Sequence, residues 1–303
     1  MKIALIGQAA FGEKVLAALL EAGEEVAAVY MPPDAASGKA NTFRELAESK
    51  GVPVRQPSRM RDPEVYEDYK TLGADLNVMA FVTDIVPLTI LNHPRLGTIQ
   101  YHPSLLPRHR GASAMNWAII NGESKTGLSI FWPDEGLDTG PILLQKEVVI
   151  EPDDTLGTLY FGKLFNLGVE ALVESVRLVR EDRASKIPQD LNQGEYEPIC
   201  KSMKIEWAYP VGVVYNIIRG CNPSPGAVTV CGNQHLKIFD CEKRAVSGPE
   251  APGTIREVTE DGFLVAASGG SIFVKRVQPA GGAKSSAAEF AASAALRAGD
   301  LLG

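Results

Sequence analysis

The chain has 303 residues, 45% of them apolar and 22% charged, with a formal net charge of −7. That is the composition of an ordinary folded protein, and the length suits two cores rather than one. No run approaches the roughly 18 consecutive apolar residues of a membrane span. From Glu206 onward nine acidic residues balance nine basic ones, so the first 205 residues carry the whole negative excess, and neither part offers the basic face on which nucleic-acid binding depends.

The N-terminal run Ile3–Ile6 follows Lys2 but breaks at Gly7, with Glu13 and Lys14 soon after. This pattern is a first buried strand rather than a secretory leader, and a cytoplasmic location is expected. Short apolar runs then alternate with helical patterns, the mark of βαβ units and a mostly parallel sheet. Lys14–Ala22 reads as a helix, Glu25–Tyr30 as a strand, Thr42–Ser49 and Pro63–Leu72 as helices, and Leu76–Ala80 as a strand. Gly97–Tyr101 is the next strand, Ala114–Ile120 a helix, Gly127–Trp132 a strand, and Ile142–Ile150 a returning hairpin partner. Thr155–Arg180 is expected to be one long amphipathic helix.

Lys186–Met203 holds scattered Pro, Gln, Asn and Gly without a sustained apolar period and reads as a connection. The expected organisation is therefore a domain over 1–187, a linker over 188–204 and a second domain over 205–303. In the second, Val211–Arg219 looks helical. Ala227–Val230, Leu236–Phe239, Gly253–Val258, Gly262–Ala266 and Ser271–Val277 are short strands punctuated by Gly and Pro, which predicts a small barrel. Ser286–Glu289 has the form of a capping box opening a last helix. Cys200, Cys221, Cys231 and Cys241 form no CxxC pair, and the histidines do not complete a zinc site, so the cysteines are read as small apolar residues.

Three loops could carry chemistry. Gly7-Gln-Ala-Ala-Phe-Gly12 lacks the G-x-G-x-x-G spacing, and Tyr30-Met31-Pro32 stands where an acidic residue would close the second strand. No nicotinamide or flavin site is expected there. His102 follows a strand and enters a loop stiffened by Pro103 and Pro107, with Ser104 two residues on and Gly111 at its end. A loop held so firmly can keep an imidazole in one orientation, as acid/base work requires. His109, between two arginines, reads as a surface group. Asp138 lies in Asp134-Glu-Gly-Leu-Asp-Thr-Gly140, whose carboxylates lack the order of a calcium loop. A glycine-hinged loop would offer Asp138 to His102, and nothing in the pattern requires a metal.

The strings His102-Pro-Ser-Leu-Leu-Pro-Arg-His-Arg-Gly111 and Gly136-Leu-Asp-Thr-Gly140 resemble those of the formyltransferases and hydrolases that use 10-formyltetrahydrofolate. Ile205-Glu-Trp207, Asn222-Pro-Ser-Pro-Gly226 and Leu236-Lys-Ile238 resemble that family's C-terminal markers, so the likeness runs through essentially the whole chain. It implies a Rossmann-like formyltransferase fold with a small C-terminal OB-like β-barrel. Tyr101–Trp117 and Ser129–Gly140 look most like the hydrolase domain of 10-formyltetrahydrofolate dehydrogenase, while the chain as a whole is similar to methionyl-tRNA formyltransferases. The resemblance implies a folate co-substrate whose pterin lies between Met79, Ala80, Phe81, Val82 and Ile85 on one side and Asp134, Gly136 and Asp138 on the other, with Leu106 beside it. His102, Asp138, Gln100 and Ser104 are its implied catalytic set.

Two departures bear on the acceptor. The transferases place an Asn two residues before the histidine, where this chain has Gln100, as the hydrolase-type domains do not keep the Asn. The stretch Met31–Ala40 is short and has a single lysine, which weakens a tRNA partner. Water is the preferred acceptor, with an amine (methionyl-tRNA, an amino sugar or another small amine) as the alternative. A folate-binding module without chemistry is a third reading, disfavoured because both His102 and Asp138 are present.

Overall fold

The computed structural model describes residues 1–34, 40–246 and 248–303; part of the Met31–Ala40 stretch read above lies outside the described residues. Its contacts divide the chain into two compact units. One comprises Met1–Ala112, Gly127–Val148 and Lys163–Glu197, the other Ser113–Thr126, Val149–Gly162 and Pro198–Gly303.

The first unit begins with β1 (Lys2–Gly7), α1 (Ala9–Glu21), β2 (Glu25–Tyr30), α2 (Thr42–Ser49), β3 (Val54–Arg55) and α3 (Pro63–Tyr69). It continues through β4 (Leu76–Ala80), α4 (Leu88–Leu91) and β5 (Thr98–His102). The chain leaves it for α5 (Ala114–Ile120) and again for α6 (Leu156–Leu159), and returns with β6 (Lys125–Phe131), β7 (Ile142–Val149) and α7 (Phe165–Arg180). The seven strands form one sheet in the order β3-β2-β1-β4-β5-β6-β7. The pairings from β3 to β5 are all parallel. At β6 the direction reverses, and His102 stands opposite Ser129 in the antiparallel register.

β1 and β4 are buried along nearly their whole length, as strands covered on both faces must be. On one face Ala4, Ile6, Tyr30, Tyr69 and Met79 share a core cluster. On the other, Tyr101 stacks on Phe11 with centroids 4.5 Å apart. Gly168 of α7 makes that stacking possible, because a Cβ there would lie 2.6 Å from the Tyr101 ring.

The helix expected over Thr155–Arg180 is not continuous. Tyr160–Leu164 forms a π-helical turn between α6 and α7. Leu159 and Leu164 are both fully buried, a spacing of five that an unbroken α-helix would place on different faces and that suits a π turn.

The second unit holds α5 and α6 with β8 (Met203–Lys204), α8 (Val211–Gly220), β9 (Ala227–Cys231), β10 (Gln234–Ile238) and β11 (Cys241–Arg244). β12 (Ile255–Thr259), β13 (Gly262–Ala267), β14 (Gly270–Val274), β15 (Arg276–Pro279), β16 (Ser285–Ser286) and α9 (Ala287–Ser293) follow. Trp207, Ile218, Leu236, Phe263, Ile272 and Phe290 belong to its core. The strands expected to make one barrel pair as two sheets, β16-β15-β10-β9-β8 and β11-β14-β13-β12. The chain passes between them at two places. β10 leads into β11 at Asp240, and the expected single strand Ser271–Val277 breaks into β14 and β15 where the amides of Lys275 and Arg276 both donate to the Asp240 carbonyl. Leu301 bridges to Thr254 and Leu302 to Cys231. The capping box at Ser286 and Glu289 is formed in both directions. Cys200 and Cys221 are buried together with sulfurs 3.9 Å apart, and the hydrogen bond between them together with burial pushes the Cys221 thiol up. Among the described residues no helix is long and apolar enough to cross a membrane.

Candidate active site

β5 presents alternate residues to opposite faces of the sheet. Tyr101 therefore turns to α1 and α7, while Gln100 and His102 share the other face. His102 closes the strand and is 5% exposed. Its Nε2 donates to the backbone carbonyl of His109 at 2.9 Å. A carbonyl can only accept, so Nε2 carries the proton, and Nδ1 is the nitrogen left to face other groups.

The loop after His102 is stapled from within and from below. Ser104 is fully buried, and its hydroxyl donates to the Arg108 carbonyl at 2.6 Å. Ser129 of β6 accepts from the Leu106 amide at 3.0 Å and donates to the Ser104 carbonyl at 2.7 Å. Gln145 of β7 donates to both the Leu106 carbonyl and Ser129 Oγ at 2.9 Å. Leu106 itself sits in a core cluster with Phe131 and Ile142.

The second loop brings Asp138 opposite the imidazole. Its Oδ2 lies 3.6 Å from His102 Nδ1, too far for a direct hydrogen bond. The same oxygen accepts from the Gly111 amide at 2.8 Å. Asp138 adopts a left-handed backbone, with φ 56°. Gln189 fixes the turn by donating to the carbonyls of Asp138 at 3.0 Å and Gly140 at 2.7 Å. Asp134 turns inward, where Oδ1 accepts from the Gly136 amide at 3.0 Å and the Thr139 hydroxyl at 2.6 Å. Gly136 is required by that closure, since a Cβ would fall 1.9 Å from Thr139 Oγ1.

Met79 and Ala80 are buried at the end of β4, with Met79 paired to Gln100 across the sheet. The chain then turns outward at Phe81, which has φ 59° and is 37% exposed, and reaches Ile85, 64% exposed. Leu137, on the loop of Asp138, is also largely exposed. A cavity of about 280 Å³ opens where β1, β2 and β4 end, lined by Gln8, Tyr30, Met60, Phe81, Val82 and Asp84 among others. It shares Phe81 and Val82 with the expected folate set but is not lined by His102 or Asp138.

Several site residues had no signal in the sequence. Ser129 and Gln145 sit in ordinary strands, and Gln189 in the connecting segment. His109 was expected at the surface, but it is buried, with Nδ1 2.9 Å from Glu197 Oε2. The partner carboxylate lies 88 residues away, beyond the reach of any local pattern. No group of three or more His, Cys, Asp or Glu that could hold a metal occurs among the described residues.

Residues 1–176 match the family model described as formyl transferase, and residues 201–295 match the formyl transferase C-terminal domain. The chain belongs to the formyl transferase family. It is 42% identical over 320 residues to cytosolic 10-formyltetrahydrofolate dehydrogenase of Xenopus tropicalis, covering 99% of this chain and 35% of that one. The chain thus spans about a third of the length of that relative. It is 37% identical to methionyl-tRNA formyltransferase of Syntrophus aciditrophicus over 310 residues, covering 100% of this chain and 99% of the relative. Among solved structures, an N-formyltransferase from Helicobacter canadensis in complex with folinic acid and dTDP-3-aminofucose superposes with a TM-score of 0.70. That structure is 17% identical, covering 90% of this chain and 98% of its own, and shows a shared formyltransferase fold.

Proposed function

We propose that this chain releases the formyl group of 10-formyltetrahydrofolate to water, giving formate and tetrahydrofolate. The observation that carries the chemistry is the apposition of His102 Nδ1 and Asp138 Oδ2 at 3.6 Å, with Nε2 committed to the His109 carbonyl. The exposed apolar groups Phe81, Ile85 and Leu137 suit a flat heteroaromatic ring laid between the two loops. Met79, Ala80 and Val82 would back the ring, and the turn of Asp134 and Gly136 would border it.

When water attacks the formyl carbon, the carbonyl π electrons move onto oxygen and a tetrahedral oxyanion forms. His102 takes a second proton at Nδ1, the nitrogen that the His109 carbonyl leaves free, and as the imidazolium donates it to that oxygen, with the Gln100 amide on the same face of β5 as a second donor. Asp138 takes the proton released by the attacking water and holds the imidazole ring toward the cleft. Collapse breaks the carbon–N10 bond, and Asp138 passes to N10 the proton it took from the water, so that formate and tetrahydrofolate leave and the carboxylate is restored. Ser104 acts in this reading by holding the loop closed, through its bond to Arg108. No covalent enzyme intermediate is needed, because an N-formyl folate is already activated.

An amine acceptor is the second reading. It is favoured by similarity to a methionyl-tRNA formyltransferase over 100% of this chain and 99% of that relative. The discriminating experiment supplies 10-formyltetrahydrofolate alone, then with charged initiator tRNA or a panel of amino sugars. Formate release without an acceptor is the expected result; consumption only in the presence of an amine would replace hydrolysis with transfer.

A further inference from the structure

We propose that Glu197, acting through His109, is a positioning residue for His102; this rests on the reading of His102 as the donor to the formyl oxygen. The His109 carbonyl is the group that selects the Nε2–H form of His102, at 2.9 Å. Its direction is set by the backbone of His109, which is left-handed with φ 53°. An L residue rarely keeps that conformation unless contacts over-determine it. The side chain supplies such a contact: it is buried, and Nδ1 meets Glu197 Oε2 at 2.9 Å. An ionised carboxylate only accepts, so His109 donates there.

Glu197 is itself held in register. Its amide donates to the Arg110 carbonyl at 3.0 Å, and the Arg110 amide donates to the Glu195 carbonyl at 3.2 Å. Tyr196 and Arg110 thereby form a parallel bridge, and Gly111 leaves room for it, since a Cβ would lie 2.7 Å from the Glu197 carbonyl oxygen. The connecting segment is thus paired to the end of the catalytic loop on both sides of Tyr196. Glu197 fixes the His109 ring, the ring fixes a strained peptide, and the peptide carbonyl fixes which nitrogen of His102 is free to act.

The test compares wild type with E197A, E197D and E197Q, reading kcat, KM for 10-formyltetrahydrofolate, melting temperature and the nitrogen spectra of the imidazoles. The chain has four histidines, and the His102 signals are those missing from H102Q. Read with the ring neutral, wild-type His102 should show a single Nε2–H tautomer. E197A should show a mixture, with kcat lowered about tenfold or more, as small misplacements at a reacting centre produce, and KM within about twofold. E197D keeps the charge but is one methylene short, so it should behave like E197A; it also serves if E197A fails to fold. E197Q keeps an acceptor oxygen and should restore the single tautomer and most of kcat. A His102 spectrum unchanged in E197A and E197D would overturn the proposal, as would altered tautomers with unaltered kcat. A wild-type chain that consumes no 10-formyltetrahydrofolate would sink the folate reading instead, and the imidazole spectra would still decide what Glu197 does.

Discussion

Replacing Gly111 by Ala probes the junction between the two candidate catalytic loops with one methyl group. Gly111 has φ +108°, and a Cβ there would meet the Glu197 carbonyl oxygen at 2.7 Å and the Tyr196 ring at 3.0 Å, where ordinary contact begins near 3.4 Å. The left-handed backbone alone costs an L residue about 1–3 kcal/mol. Widening the contact pulls the 110–111 peptide from the 195–197 segment, so the expected loss of stability is about 2–4 kcal/mol. The Gly111 amide is also the donor at 2.8 Å to Asp138 Oδ2. A hydrogen bond to a charged acceptor contributes roughly 1.5–3 kcal/mol, and its displacement moves the carboxylate relative to His102 Nδ1. We therefore expect kcat to fall about 10- to 100-fold, measured by formate release at saturating folate, alongside urea unfolding. A G111A protein with wild-type kcat and wild-type unfolding midpoint would refute the argument that this close approach positions Asp138.

Ser129→Ala strips the Leu106 amide and the Ser104 carbonyl of a shared buried partner; urea unfolding should show a loss of about 1–3 kcal/mol, and an unchanged midpoint would contradict the staple. Asp68 accepts from Arg55 Nε at 2.8 Å and from the Tyr30 hydroxyl at 2.9 Å, and the Arg55 hydrogen bond in particular holds its carboxyl below the ordinary 3.8. A depressed carboxylate adds stability above its unfolded pKa and loses it as pH falls through the folded value, so D68N should flatten the acid limb of a stability–pH curve below about pH 4; an identical slope in both proteins would exclude this. Gln100→Asn shortens the proposed second donor to the oxyanion by one methylene, and competition between water and a small amine acceptor should shift toward transfer; an unchanged product ratio would show that this position does not bias the acceptor.

Most strands of the large sheet were legible as short apolar runs, β7 as an alternating one, and β2, β4, α2 and α5 lie where the periodicity places them; β3, only Val54–Arg55, is too short to leave a pattern and was not read. The glycines of the Asp138 loop were legible for a similar reason, since close approach tolerates little else: a Cβ on Gly140 would fall 1.8 Å from the Trp132 carbonyl. What the sequence hid are the supports. Ser129 and Gln145 reach the histidine loop across the sheet, and Glu197 reaches His109 across 88 residues. A charge pattern of Arg-His-Arg reads as solvated until a distant carboxylate is brought to it. The π turn at Tyr160–Leu164 was hidden because an apolar residue five positions on breaks the helical period by only one place. The split of Ser271–Val277 depends on a single carbonyl, that of Asp240, capturing two successive amides.

In the proposed mechanism His102 and Asp138 move the formyl group of a bound folate. Turnover of 10-formyltetrahydrofolate by H102A and D138A, measured with folate affinity on the same preparations, tests it most directly. Each variant should lose roughly two or more orders of magnitude in turnover, with folate affinity retained. Near-normal turnover in both variants would contradict it.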